Sequence, residues 1–300
     1  MLARFSSSLF AAMTALSFTV VPPALADQGD QSAILWKVEK ANTPPSWILA
    51  TIQTTDGQAA EFTPSTMAAL GGAKYIGTEF HNDINSVVDM AHAMLDEKPS
   101  LAQTLGAADY AKLLPLIESR GYPASVTAKL KPWAAIMMLL SPRPAKDLIP
   151  MDDRLLKYSM ENGRKYFGIE SVEQQLAPYQ AIPTAKQIPL LKTLIKNEAK
   201  LEQNYKLIVA AYLKQDLNQI QKLLQIEALA LPEADRAWYR QWRTDTFNQR
   251  NTVIVQRLQI PFEKGDSFVG ISAAQLPGKE GLLAKLRAAG YRLSAFTSAK

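Results

Sequence analysis

The sequence predicts a mixed α/β (α+β) fold: one domain whose central sheet is assembled from the N- and C-terminal thirds around a large helical insert. Three observations predict it. Short apolar runs that read as strands lie near Ala33 to Lys40, Ser46 to Gln53, Lys74 to Glu79, Lys165 to Ile169, Ser267 to Ser272 and Tyr291 to Thr297. Between the third and fourth runs, and again from Ile188 to about Ala230, apolar residues recur at helical intervals. Helical text therefore separates the strands, and most of them must find partners distant in the chain.

The first segment stands apart from the rest. Arg4, an apolar stretch from Phe5 to Val21 and Ala24-Leu25-Ala26 before Asp27 read as a secretory signal peptide with an A-x-A cleavage site. Residues 1–26 are accordingly excluded from the fold, and 27–300 form the domain. The apolar run is shorter than the ~20 residues of a spanning helix, and Pro22 and Pro23 close it. The expectation is a periplasmic or secreted protein that does not span the membrane after cleavage. A chain with no cysteine excludes thiolate metal sites, cysteine nucleophiles and disulfide staples. Its net charge of +5 is spread without a basic block, so no nucleic acid partner is expected.

Asn42-Thr43-Pro44-Pro45 marks a turn that makes the first two strands a hairpin. Helices are expected over Ser86 to Leu95, Ala108 to Arg120 and Ser125 to Leu140, bounded by proline and glycine. In the second helical block Leu190, Leu191, Leu194, Ile195, Leu201, Tyr205, Ile208 and Tyr212 are spaced to face a core. Further on, Arg236, Arg240, Arg243, Arg250 and Arg257 share a helix with Trp238, Tyr239 and Trp242. That pattern reads as a solvated face with aromatic anchors, or as a row that binds an anion. Lys279 to Ala289 forms the last helix, with Gly290 suited to its C′ position.

The chemistry-bearing residues gather at strand ends. Lys74-Tyr75-Ile76-Gly77-Thr78-Glu79 and Lys165-Tyr166-Phe167-Gly168-Ile169-Glu170 are nearly the same phrase, each ending in a glutamate. Ligands of open α/β sheets sit beyond the carboxyl ends of the strands, where Gln53 and Gln275 also fall. If Glu79 and Glu170 lie close together, repulsion raises one apparent pKa and leaves an acid/base pair. The only two histidines are His81 and His92. Glu79, His81 and Asp83 alternate, which in an extended strand would gather them on one face as metal ligands, whereas Asn82-Asp83 also reads as a turn.

Trp47-Ile48-Leu49-Ala50-Thr51-Ile52-Gln53 and Phe268-Val269-Gly270-Ile271-Ser272-Ala273-Ala274-Gln275-Leu276-Pro277-Gly278 resemble the paired signatures of the TraB/PrgY/GumN family, which includes the TIKI metalloproteases. In that family the first ends Gly-Thr-x-His and the second Gly-x-x-His, with both histidines in the proposed metal site. Here Ala50 and Ser272 replace the glycines, and Gln53 and Gln275 replace the histidines. Lys131-Pro132-Trp133, Met151-Asp152 with Leu155, Glu173-Gln174-Gln175, Arg250-Asn251, Gly281-Leu282-Leu283 and Gly290-Tyr291 resemble further family segments in order, although Pro150 stands where glycine is usual.

The resemblance implies a TIKI/TraB-like fold with Glu79 and Glu170 as candidate catalytic carboxylates. It implies a pocket around them made by Gln53, Gln275, Arg250, Asn251, Asp152 and Gln175. An imidazole nitrogen binds transition metals well, whereas glutamine offers only a neutral amide, so no metal ligand set and no cofactor are expected. The function expected is that of an exported family protein with a degenerate metal site, non-catalytic, binding or regulatory, and taking a peptide, saccharide or protein ligand. The alternatives are a hydrolase or peptidase of TIKI type with an altered site, and an accessory protein of envelope polysaccharide production.

Overall fold

A computed structural model describes residues 33–54, 56–81, 83–144, 148–224 and 231–296. The expected signal peptide, residues 225–230 of the second helical block and Thr297 lie outside these. The chain runs β1 (Leu35–Glu39), β2 (Ser46–Thr51), α1 (Gly57–Ala60), α2 (Pro64–Gly72) and β3 (Tyr75–Phe80). The helices α3 (Ile84–Met94), α4 (Leu101–Leu105), α5 (Ala107–Glu118), α6 (Ala124–Thr127), α7 (Pro132–Leu140) and α8 (Met151–Glu161) follow. After β4 (Lys165–Glu170) come α9 (Val172–Gln180), α10 (Thr184–Lys196), α11 (Glu198–Leu213), α12 (Leu217–Leu223) and α13 (Glu233–Lys264). The chain closes with β5 (Ser267–Ser272), α14 (Leu282–Ala288) and β6 (Arg292–Ala295).

One six-stranded mixed sheet has the order β4-β3-β5-β2-β1-β6. The expected hairpin pairs β1 with β2 antiparallel, Asn42 taking a left-handed turn conformation at φ 60°. β2, β5, β3 and β4 are parallel neighbours, so the carboxyl ends of four strands share one edge. Five strands come from the first and last thirds, and β4, set between the helical blocks, closes one side. Strand β5 is central and is buried from Ser267 to Ile271, as a strand covered on both faces must be.

Proline and local caps set the helix boundaries and divide two expected helices. The segment Ser125 to Leu140 is two helices, because Pro132 sits at the first position of α7 and disfavours helix at Lys131 before it. The block from Ile188 is three, broken after α10 at Asn197 and after α11, where Gln215 adopts φ 59° and Asp216 caps α12 through Gln219 N–H. Gly290 follows the C-cap of α14 with φ 89°, as its expected C′ role requires.

Two hydrophobic clusters result. One surrounds the sheet with Trp36, Ile48, Leu49, Phe268 and Leu258; the other lies within the helical insert, around Leu113, Trp133, Ile136, Leu191 and Tyr239. The 32-residue α13 belongs to both. Tyr239, Trp238 and Trp242 engage the insert, Trp242 Nε1 donating to the Pro178 carbonyl at 2.8 Å, while Ile254, Leu258 and Phe262 pack on the sheet. Arg250 is carried where the two clusters meet.

Candidate functional site

Helix α13 delivers Arg250 to the carboxyl ends of β3 and β4. Its Nη2 donates to Glu79 Oε2 at 3.0 Å and to Glu170 Oε2 at 2.6 Å, and its Nε donates to Glu170 Oε1 at 3.1 Å. Only 1 % of the Glu170 side chain and 13 % of the Glu79 side chain remain exposed. Burial works against the charge of Arg250, but the Glu79 and Glu170 carboxylates outweigh it and hold the pKa above the ordinary arginine value. Bidentate geometry and low exposure make this one of the stronger kinds of ion pair.

Each carboxylate has one further support. Glu170 Oε2 accepts from Gln175 Nε2 at 2.6 Å; Glu79 Oε1 accepts from the Ser272 backbone N–H at 2.8 Å. Gln175 is placed by a capping box, in which Ser171 Oγ accepts from Gln174 N–H and Gln174 Oε1 accepts from Ser171 N–H. Arg257 reaches the same turn, donating to the Ile169 carbonyl and, at 2.7 Å, to Gln174 Oε1. The expected arginine row is thus divided in use. Arg250 and Arg257 serve the strand ends, Arg243 lies 4.9 Å over the Phe247 ring, and Arg236 pairs with Glu233 at 2.6 Å.

Asp152, in the first turn of α8, meets the sheet from another side. A Cβ placed on Gly270 would lie 3.4 Å from its Oδ1. The residue is half-buried, yet Oδ1 is sealed from solvent and has no hydrogen-bond partner. Burial, and next the Glu79 carboxylate, push the Asp152 carboxyl up to about 7, against a lowering contribution from the Thr51 hydroxyl.

Gln275 and Asn251 are both buried, at 1 % and 2 % exposure. Asn251 Nδ2 donates to the Gln275 carbonyl at 3.2 Å and to the Glu280 carbonyl at 2.9 Å, which fixes the turn after β5. The side-chain oxygens Asn251 Oδ1 and Gln275 Oε1 have no partner. Gln53, two residues past β2, is exposed and bonds to no described residue. The structure therefore joins Glu79, Glu170, Arg250 and Gln175 in one network, brings Asp152 within electrostatic reach of Glu79, joins Asn251 to the Gln275 turn, and leaves the exposed Gln53 outside this hydrogen-bond network.

The proposed use of Glu79 and Glu170 as a mutually repelling pair meets a guanidinium between them. The alternation of Glu79, His81 and Asp83 ends with the strand at Phe80. Asp83 is the N-cap of α3, accepting from Ser86 N–H at 2.8 Å; His81 is exposed with its Nδ1 4.0 Å from Asp83, and Glu79 turns to Arg250. His92 is exposed in the last turn of α3. Thr51 and Ser272 lie inside the two family signatures, but the contacts they make, Thr51 with Asp152 and the Ser272 N–H with Glu79, were not legible in the sequence. A cleft of ≈ 580 Å³ opens beside Glu170 between α3 and α9, lined also by Phe80, His81, Asp83, Asp89 and Glu173. A smaller one of ≈ 300 Å³ near Pro45, Trp47 and Phe296 lies at the amino end of β2, away from these side chains.

The residues do not fit the divalent ion that the resemblance implies. Glu79 and Glu170 already face a fixed cation, and positions 53 and 275 supply amides. Among the described residues no three His, Asp or Glu side chains are grouped to hold a metal.

The family model described as TraB/PrgY/gumN family matches residues 34–295. No curated protein and no solved structure matches the chain.

Proposed function

The chain belongs to the TraB/PrgY/gumN family, and on that footing we propose that it is an exported binding or regulatory protein whose strand-end site works without a divalent metal ion. The observation that carries this reading is the Arg250 guanidinium bonded to both Glu79 and Glu170. A fixed side-chain cation balances carboxylates that would otherwise be free to recruit a metal. Glutamine at positions 53 and 275 agrees with it, since an amide is a poor ligand for zinc, manganese or cobalt. The site is then a rigid polar platform that recognises a peptide, saccharide or protein group. Export rests on the apolar leader before Asp27, and puts the protein in the periplasm or outside the cell.

Elemental analysis of protein purified without a polyhistidine tag tests the metal-free reading. It should find well under one equivalent of zinc, manganese or cobalt per chain; a stoichiometric, tightly held ion overturns it. N-terminal sequencing of the exported protein should begin at Asp27, and an intact leader would contradict export. One observation favours the alternative of a hydrolase. Burial, and next the Glu79 carboxylate, push the Asp152 carboxyl up to about 7, while Glu79 itself is bonded to Arg250, the kind of unlike carboxyl environments that acid–base catalysis uses. Hydrolysis of a peptide library that disappears in Asp152→Asn would establish that reading in place of simple binding.

A further inference from the structure

Helix α3 is mounted with its polarity reversed. Ile84, Val87, Val88 and Ala91 recur at i, i+3, i+4 and i+7, the stripe that a surface helix ordinarily turns to the core. Here the stripe faces solvent: Ile84 is 80 % exposed, Val87 52 % and Val88 48 %, and Ala91 is exposed as well. Ser86 and Asp89, on the opposite side of the helix, line the cleft of ≈ 580 Å³ beside Glu170. Within α3 only Met94 is buried, and with Met90 and Ala93 it packs on the cluster of the helical insert. The first two turns therefore stand out from the core with a polar side towards the cleft and an aliphatic side uncovered. Burying such a stripe ordinarily stabilises a helix against its protein; here that gain awaits a partner.

The cleft itself has one sign of charge. Asp83 caps α3, and the Ser86 N–H holds its carboxyl below the usual aspartate range. Asp89 on the α3 wall and Glu173 on the α9 wall have no hydrogen-bond or ion-pair partner among the described residues. Glu170 is already answered by Arg250. No lysine or arginine lines the cleft, and His81 is the one side chain of the lining that can take a positive charge. Phe80, Val172 and Leu176 supply apolar wall. Apolar wall under a rim of carboxylates suits a lysine or arginine side chain, whose stem packs on the wall while its head meets the charge. An aliphatic surface on the far side of the same helix suits the rest of a polypeptide rather than a small cation.

We propose that α3 and the cleft behind it dock a basic amphipathic segment of a partner polypeptide, whose lysine or arginine side chains enter the cleft towards Asp83, Asp89 and Glu173 and whose apolar residues cover Ile84, Val87 and Val88. The proposal rests on the binding reading of the strand-end site and narrows its ligand to polypeptide of basic character. Charge complementarity carries the choice of occupant, since a cleft without a lysine or arginine repels acidic chains and leaves its own carboxylates to be paired from outside. The carboxylates then supply specificity and salt dependence, and the aliphatic stripe supplies contact area.

Fluorescence anisotropy of the untagged native protein with a labelled amphipathic helical peptide of leucine and lysine tests this. The peptide should bind, and its counterpart with every lysine replaced by glutamate should bind about tenfold more weakly or worse. Asp89→Asn combined with Glu173→Gln should weaken the lysine peptide about tenfold, and added salt should narrow the gap between this variant and the parent. Val87→Ser combined with Val88→Ser should weaken binding about fivefold while keeping its salt dependence. Glu118→Gln combined with Glu161→Gln, carboxylates that line no part of the cleft, should leave binding unchanged. All six positions are exposed, so each variant should keep the parent's thermal unfolding. No binding, equal binding of the lysine and glutamate peptides, indifference to either the cleft pair or the α3 pair, or equal losses in the remote pair would each overturn the proposal. Spermidine displacing the peptide at equal concentration would overturn it in favour of a small polycation. Elemental analysis judges the metal-free reading separately, so a metal-free protein that ignores the lysine peptide sinks this proposal alone.

Discussion

Strands β3 and β4 are written almost identically, Lys-Tyr-Ile-Gly-Thr-Glu and Lys-Tyr-Phe-Gly-Ile-Glu, yet the sheet treats them differently. β3 lies between β5 and β4, whereas β4 is an edge strand. Glu79 therefore finds a backbone amide of its inner neighbour, Ser272, and shares its surroundings with Asp152. Glu170 has no strand beyond it and is enclosed by side chains from helices, Arg250 through two nitrogens and Gln175 through its amide. Their glycines differ too. A Cβ on Gly77 would strike the ring of the cross-strand Phe167, and a Cβ on Gly168 would come within 2.7 Å of the His81 backbone nitrogen. Position in the sheet, rather than the local phrase, decides what a strand-end glutamate can do.

The harshest test removes the residue that the two strand ends share. Arg250→Met should cost about 3–5 kcal/mol in denaturant unfolding, because two largely buried carboxylates lose their counter-charge. A loss below about 1 kcal/mol would mean that the pairs behave as ordinary surface ion pairs.

The acid next to β3 but not β4 is tested by pH. The folded Asp152 carboxyl titrates at about 7 against an ordinary 3.8, so the folded state keeps a proton that the unfolded chain has lost. Its contribution is therefore most favourable below about pH 4 and declines as pH rises to about 7, by up to ~4 kcal/mol. Asp152→Asn should flatten that part of the stability profile. An unchanged slope would assign it to other groups.

Single truncations sharpen the contrast between the glutamates. Glu170→Ala should cost about 3 kcal/mol and Glu79→Ala about half as much, since loss of Glu79 also relieves Asp152. Equal costs would erase the distinction between inner and edge strand. The smallest difference concerns the glycines. Gly168→Ala presses on backbone and should cost about 1–3 kcal/mol, while Gly77→Ala meets a half-buried ring that can turn aside and should cost less. The reverse order in thermal unfolding would show that the Phe167 ring is the less yielding neighbour.

Much of the architecture was legible because it follows from local chemistry. Alternating apolar residues marked all six strands, Asn42 to Pro45 marked the hairpin, and Gly290 marked a helix end that needs positive φ. The sites of helix breakage were less legible, because the periodicity of Ser125 to Leu140 continues through Lys131-Pro132 while the backbone does not. Candidate site residues could be named from strand ends and from the family resemblance, but not their partners. The two glutamines illustrate the limit. They occupy matching places in matching motifs, yet Gln53 is exposed and Gln275 is buried in the turn held by Asn251. By itself the sequence determined the periodicities, the turn residues and the donor types available, all properties of neighbours along the chain. Only the tertiary structure decided that an arginine 80 residues from Glu170 and 171 from Glu79 would join them, and that Asp152 would be sealed beside Glu79, because burial and charge depend on which distant segments pack together.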